Sequence, residues 1–147
     1  MKLKTRHFGE IEINEEDILV FDDGILGFED SKKYIIINNP DPKVPFMWLQ
    51  GVDEPELAFV ITDPFLFVKD LEFDIPDRTV EELAAEKPQD IVVYSIAVVP
   101  EDIKEMTINL KGPIVINGIN KKAKQIVLEN DKYSLKHKIF SDLEKTG

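Results

Sequence analysis

The chain contains no cysteine, and this absence excludes several kinds of chemistry together. Disulfide bonds, thiolate metal ligands and cysteine nucleophiles all require the missing thiol, and its absence agrees with a reducing compartment. The sequence also lacks an apolar run long enough to cross a membrane, and its first residues alternate polar with apolar side chains, unlike a signal peptide. We therefore expect a cytoplasmic protein with no membrane partner.

Other reactive side chains are also sparse. The two histidines, His7 and His137, lie near opposite ends of the sequence, and neither has a second histidine at metal-ligand spacing. None of the serines lies in a motif that activates a hydroxyl, and Gly24 and Gly27 are not followed by the Lys-Ser/Thr pair of a phosphate loop. We expect no catalytic residue, metal or cofactor, although a paired-carboxylate site among the many acids stays open.

Basic residues are the minority among the charged side chains. Lysine and arginine total 18 against 29 aspartates and glutamates, which gives a net charge of −11. Nucleic-acid binding needs clustered bases, and the cluster of Lys121, Lys122 and Lys124 is short and lies beside a turn, so direct nucleic-acid binding is disfavoured. The acidity either serves solubility alone or forms a surface complementary to a basic protein.

Alternation of polar and apolar side chains with a period of two dominates the sequence and predicts β-strands. A hairpin is expected from Leu3 to Ile13, with a turn at Phe8-Gly9. The further predicted strands are Ile18–Phe21, Tyr34–Ile37, Phe46–Gln50, Leu57–Thr62, Asp70–Ile75, Ile91–Val99, Met106–Leu110, Ile114–Asn117 and Lys124–Leu128. Turn-type clusters separate them, so residues 1–147 are predicted to form one all-β, mainly antiparallel, barrel-like domain.

Helix signals are few. Asp77–Glu86 is predicted to be helical, with Thr79 beginning a capping box and Val80 and Leu83 on one face. Leu135–Lys145 could form a second, frayed helix, but Tyr133, Leu135 and His137 also alternate like a final strand. Residues from about 138 to 147 could instead be a frayed tail.

The stretch Phe59–Phe67 holds three phenylalanines and a single charge, Asp63. Burial of three phenylalanines is worth on the order of 10 kcal/mol before entropy is subtracted, so Phe59 is expected in the core. Asp63-Pro64 ends the strand, because proline cannot donate a ladder hydrogen bond. Beyond this break, Phe65 and Phe67 could be core residues or the rim of an apolar surface for a partner.

Acids occupy every second position of Asp70–Ile75. Asp70, Glu72 and Asp74, hereafter the acidic row, are predicted to share one face, with apolar side chains on the other. The row could protect an edge strand from unwanted pairing. Alternatively, it could dock a cationic partner, with Asp53, Glu54 and Glu56 nearby.

Seven segments follow one another along nearly the whole sequence: Phe8-Gly9, Gly24–Glu29, Trp48–Gln50, Leu57–Phe59, Asp63–Phe65, Asn109–Asn117 and Tyr133–His137. In their order and spacing these segments resemble the FliW family of flagellar assembly factors. The sequence departs from the family pattern at Leu26, where proline is common, and at Gly112, where alanine is expected; both departures bear on loop geometry only.

The resemblance implies a non-catalytic β-barrel protein with two competing partners, flagellin and the RNA-binding regulator CsrA. Flagellin would sequester the protein, and its export would release the protein to capture CsrA and relieve repression of flagellin translation. On this interpretation the acidic row, with Asp53, Glu54 and Glu56, contacts CsrA, and Phe65 and Phe67 contact flagellin. The alternatives are a small carboxylate-dependent enzyme and a structural β-domain of a larger assembly.

Overall fold

The computed structural model describes residues 1–129 and 132–140, which are built mainly of short strands. The strands are β1 (Lys2–Lys4), β2 (Glu10–Glu12), β3 (Leu19–Phe21), β4 (Lys33–Ile37), β5 (Phe46–Gly51), β6 (Ala58–Thr62), β7 (Ile91–Val98), β8 (Thr107–Ile108), β9 (Ile114–Asn117), β10 (Lys122–Gln125) and β11 (His137–Lys138). Helix α1 spans Asp77–Glu82. Single 3-10 turns lie at Glu15–Asp17, Pro64–Leu66, Pro88–Asp90 and Ile103–Glu105.

Seven of the strands close into a barrel in the order β7-β6-β5-β4-β3-β10-β9, with β9 pairing back onto β7. The pairing is antiparallel except between β3 and β10, which run parallel. The β7 strand is long enough to pair with β9 through Ile91–Tyr94 and with β8 through Ala97 and Val98. The predicted all-β, mainly antiparallel barrel is therefore confirmed.

Strand alternation divides the apolar side chains between the barrel interior and its outer faces. The interior holds one cluster, in which Phe21, Tyr34, Leu49 and Ile61 have no exposed surface. Each such side chain contributes about 1.5–3 kcal/mol on burial. Phe59 packs against this cluster but is half-buried, with its ring edge-on to that of Phe28 at 5.1 Å between centroids.

Two further clusters lie on the outside of the barrel. The β1–β2 hairpin, which the sequence predicted, covers β4 with Leu3 and Ile13 packed against Ile35. On the opposite side, Leu71, Leu83 and the segment after β10 cover the outer face of β7, β8 and β9. The barrel thus has an apolar layer inside it and two outside it.

Three local predictions differ from the structure. Asp70–Ile75 pairs with no strand among the described residues and is therefore not a β-strand. Helix α1 ends at Glu82, and its N-cap is Pro76; Thr79 does not cap the helix because it lies within it, with its side chain buried. The described part of Leu135–Lys145 is not helical; the alternative prediction of a final strand is correct, since β11 forms there and pairs with β8. Ile139 is buried, and residues 141–147 lie outside the described residues.

Candidate partner-binding cleft

A cleft of about 870 Å³ opens beside the first half of β7. Its walls come from the segment after β6, the extended chain before α1, the loop after α1 and β7 itself. The apolar lining residues are Phe65, Leu71, Phe73, Ile75, Val80, Ala85, Pro88, Ile91, Val92 and Val93. The charged ones are Asp63, Glu72, Asp74, Glu86 and Lys87. An apolar lining with four carboxylates and one lysine favours a partner that is apolar and basic.

The cleft begins where β6 ends. Pro64 cannot donate a ladder hydrogen bond, and the Asp63 carboxylate instead accepts a hydrogen bond from the Phe65 amide at 2.9 Å, which caps the Pro64–Leu66 turn. The sequence left open whether Phe65 and Phe67 are core or surface residues, and after this turn the two side chains have different surroundings. Phe65 is 45% exposed and lines the cleft. Phe67 is half-buried, with its ring stacked on Phe46 at 5.8 Å between centroids.

The acidic row retains the alternation of a strand although it has no strand partner. Leu71 is buried and Phe73 and Ile75 are half-buried against the outer cluster, while all three acids are exposed. Side-chain burial therefore holds this segment in place. The predicted division into an acidic face and an apolar face is correct, and only the predicted strand pairing is wrong.

A tyrosine from the end of the chain fixes the acidic row. The buried Tyr133 hydroxyl donates a hydrogen bond to the Glu72 carbonyl at 2.7 Å and accepts one from the Glu72 amide at 2.9 Å. Both backbone groups of Glu72 are thus satisfied by one side chain, which takes the role of a neighbouring strand. Sequence analysis did not identify Tyr133 as a support for this segment.

The carboxylates of the row are not neutralised by any residue that the structure describes. Among residues 1–129 and 132–140, no side-chain hydrogen bond or ion pair engages Asp70, Glu72 or Asp74. Glu72 and Asp74 lie on the cleft wall, whereas Asp70 does not line it. Two negative charges therefore face solvent at the edge of an apolar cleft, beside Phe65.

The other predicted acids lie elsewhere. Asp53, Glu54 and Glu56 are exposed on the turn between β5 and β6, at the opposite end of β6 from Asp63. At about 3.3 Å per residue, the five residues of β6 separate the two ends by roughly 16 Å. The structure thus unites Glu72 and Asp74 with Phe65, and places the β5–β6 turn apart from them.

An ion-pair cluster attaches α1, which contributes Val80 to the lining of the cleft, to the barrel. Lys124 on β10 bonds Glu82 and lies 3.2 Å from Asp23. The hydrogen bond with Glu82 raises the pKa of Lys124 and lowers the pKa of Glu82, so both stay charged. Lys124, one of the three lysines of the basic cluster noted in the sequence, therefore anchors helix α1.

Groups suited to catalysis are not evident in the described part of the chain. No set of three or more His, Asp or Glu side chains there is placed to hold a metal ion. The Gly27 amide lowers the pKa of Glu29, and Lys124 lowers that of Glu82. Both shifts oppose what a general acid requires near neutral pH. The described helices include none that is long and apolar enough to cross a bilayer.

The far wall of the cleft was not predicted from the sequence. Val80, the loop at Ala85–Pro88 and β7 residues Ile91–Val93 follow the acidic row by up to about twenty positions, and only the fold brings them to it. One available signal was the apolar run at the start of β7. Val92 is 41% exposed there, which is unusual for a residue in the middle of such a run.

The fold and the cleft together define a small β-barrel protein with an acidic, largely apolar cleft. A profile of the FliW protein family matches residues 2–139. The flagellar assembly factor FliW of Alkaliphilus metalliredigens is 54% identical over 145 residues, which cover 99% of this chain and 90% of that protein. That of Ruminiclostridium cellulolyticum is 46% identical over 145 residues, covering 99% and 98% respectively.

A solved structure agrees with the sequence relatives. The crystal structure of a flagellar assembly factor FliW superposes with a TM-score of 0.88 at 38% sequence identity, covering 95% of this chain and 97% of that one. The chain belongs to the FliW family of flagellar assembly factors. The resemblance noted in the sequence is thereby confirmed.

Proposed function

We propose that this protein assists flagellar assembly without catalysis, by binding two cytoplasmic protein partners in turn. Flagellin holds it first, and after release it captures the RNA-binding regulator CsrA and so relieves repression of flagellin translation. The observation that carries this proposal is the position of Glu72, Asp74 and Phe65 around one cleft. Carboxylates suit a basic partner, and an exposed aromatic ring supplies an anchor.

CsrA binding depends chiefly on charge in this proposal. A protein that binds RNA presents lysine and arginine, and the unpaired carboxylates of the acidic row attract such a surface. The net charge of −11 also opposes the approach of RNA phosphates to a bound regulator. Asp53, Glu54 and Glu56 lie beyond the other end of β6, away from the cleft. Their negative charges contribute to CsrA binding by longer-range electrostatic attraction.

Flagellin binding depends chiefly on the apolar part of the cleft. Phe65 is the most accessible aromatic side chain of its lining and projects beside Phe73 and Ile75. Phe67 follows the Pro64–Leu66 turn that presents Phe65, and its stacking on Phe46 supports that turn. Phe65 is therefore the direct contact and Phe67 its support.

Two charge-reversal variants matched in total charge test the CsrA arm. In Glu72→Lys with Asp74→Lys we expect affinity for purified CsrA, measured by calorimetry, to fall about 100-fold, and its salt dependence to flatten. Asp53→Lys with Glu56→Lys makes the same change in charge at the other end of β6 and should weaken binding less than about threefold. Equal losses in both variants would show that only overall charge matters, and no loss in either would remove the cleft from the proposal.

A further inference from the structure

The cleft has an unused β-strand edge along one wall. Strand β7 pairs with β6 only at Ser95–Ala97, because β6 stops at Thr62, opposite Ser95. Its preceding residues, Ile91–Tyr94, pair with β9 on the other side. Beyond the end of β6, the described residues therefore provide no strand beside this half of β7.

The hydrogen-bond alternation identifies which groups of β7 face this gap. The carbonyls of Asp90 and Ile96 accept from Gly118 and Asn109, so even-numbered positions direct their backbone groups toward β9 and β8. Odd-numbered positions must then face the side of β6. The Ile91 amide already donates to the Pro88 carbonyl. The amide and carbonyl of Val93 and the carbonyl of Ile91 have no backbone partner there among the described residues.

The opposite wall also has free backbone groups. Within the described ranges, the amides and carbonyls of Phe73, Asp74 and Ile75 enter no hydrogen bond. Buried backbone groups are nearly always paired, so a row of unpaired ones at a cleft indicates a surface open to water or to a partner. Glu72 and Asp74 place negative charge along the same wall.

From these observations we propose that the cleft binds an extended segment of a basic partner as an added β-strand along the free edge of β7. This inference rests on the proposed function and specifies how its acidic cleft is occupied. The added segment bonds the backbone of Val93 and Ile91. Its lysine or arginine side chains lie against Glu72 and Asp74, and its alternate apolar side chains enter the cleft beside Phe65.

Amide hydrogen exchange at β7 tests this binding mode directly. The probe is the peptide acetyl-Lys-Val-Lys-Ile-Lys-Val-Lys-amide, added to isotope-labelled full-length protein and followed by NMR. We expect exchange of the Val93 amide to slow about tenfold or more at saturation, because it gains a hydrogen bond. The amides of Val92 and Tyr94 are internal controls, since they already face β9 and should not change.

Two N-methylated peptides provide a matched control. In an added strand, alternate amides face the neighbouring strand and the others face away. We therefore prepare two versions of the peptide, each N-methylated at one alternate set, and expect their affinities to differ about tenfold or more. Equal affinities would overturn strand addition. Dimerisation of the protein alone, with Val93 already protected, would also overturn it in favour of a second copy of the chain.

The two proposals fail in different ways. If the probe perturbs the Glu72 and Asp74 resonances while exchange at Val93 stays unchanged, the cleft binds basic chains by side chains only. Strand addition is then wrong and the proposed function stands. If CsrA binding is unaffected by Glu72→Lys with Asp74→Lys, the cleft is not the CsrA site of the proposed function, whatever the peptide does.

Discussion

Aspartate and glutamate side chains lie near both ends of β6, but their surroundings differ. At the β5–β6 turn, the Glu54 carboxylate accepts a hydrogen bond from the Ser31 hydroxyl at 2.5 Å, and buried Gln50 bonds the backbone of the turn. At the cleft end, Glu72 and Asp74 have no side-chain partner among the described residues and lie beside exposed Phe65. Acidic composition alone thus does not identify a binding surface; the surroundings of each carboxylate do.

The largest expected effect on stability comes from Gln50, which holds the β5–β6 turn. Its amide donates to the carbonyls of Gly51, Pro55 and Leu57, and its oxygen accepts from the Arg6 amide. Gln50→Ala removes these four hydrogen bonds and should lower the free energy of unfolding by about 2–4 kcal/mol, measured by urea denaturation. Glu72→Gln, at the cleft end, should change it by less than about 0.5 kcal/mol. A similar loss in both variants would contradict the contrast between the two ends.

An intermediate effect is expected from the two phenylalanines after β6. Phe67→Ala removes a half-buried stacked ring and should cost about 2 kcal/mol of stability, whereas Phe65→Ala should cost less than about 0.5 kcal/mol. Flagellin affinity should respond in the opposite way, falling about tenfold in Phe65→Ala. Calorimetry with both partners, alongside thermal unfolding, separates the outcomes. Loss of both partners with a lowered melting temperature in Phe65→Ala would show that Phe65 is a core residue.

The smallest expected effect is the part of the Tyr34 pKa shift that comes from Glu54 on the β5–β6 turn. Burial raises the pKa of Tyr34 to about 12, and the negative charge of Glu54 adds to the rise. Tyrosine in an unfolded chain titrates near about 10. The folded state thus favours the protonated phenol, so its contribution to stability is complete below about pH 10 and is lost as pH rises toward about 12.

The variant Glu54→Gln tests this assignment. It removes the charge, so the Tyr34 pKa should fall and the loss of stability between about pH 10 and 12 should become smaller. Urea denaturation at several alkaline pH values, with tyrosinate absorbance of the folded protein, measures both quantities. An unchanged alkaline loss would show that burial alone determines the Tyr34 pKa.

Most of the fold could be predicted because strand alternation reports directly which side chains face inward. It could not report the partner of a strand, and Asp70–Ile75 shows the consequence. The side chains of Leu71 and Phe73 pack against the outer face of β7 and β9, and this burial requires no strand pairing. Thr79 was misassigned because α1 begins at Asp77, which places Thr79 inside the helix and buried rather than at its start.

The candidate site could be predicted only in part. The acids and Phe65 are recognisable because charge alternation and a proline break are local patterns. The opposite wall depends on where β6 stops relative to β7, which is a matter of register between distant segments. Gln50 and Tyr133 were missed for the same reason, since their hydrogen bonds join backbone groups that no local pattern relates.

During synthesis, the acidic row is completed before the tyrosine whose hydroxyl fixes it. Glu72 emerges from the ribosome 61 residues before the side chain that bonds both of its backbone groups. Throughout that interval the nascent chain carries the negative charges of the acidic row without the two hydrogen bonds that align the segment. The finished alignment therefore marks a polypeptide whose translation has passed Tyr133.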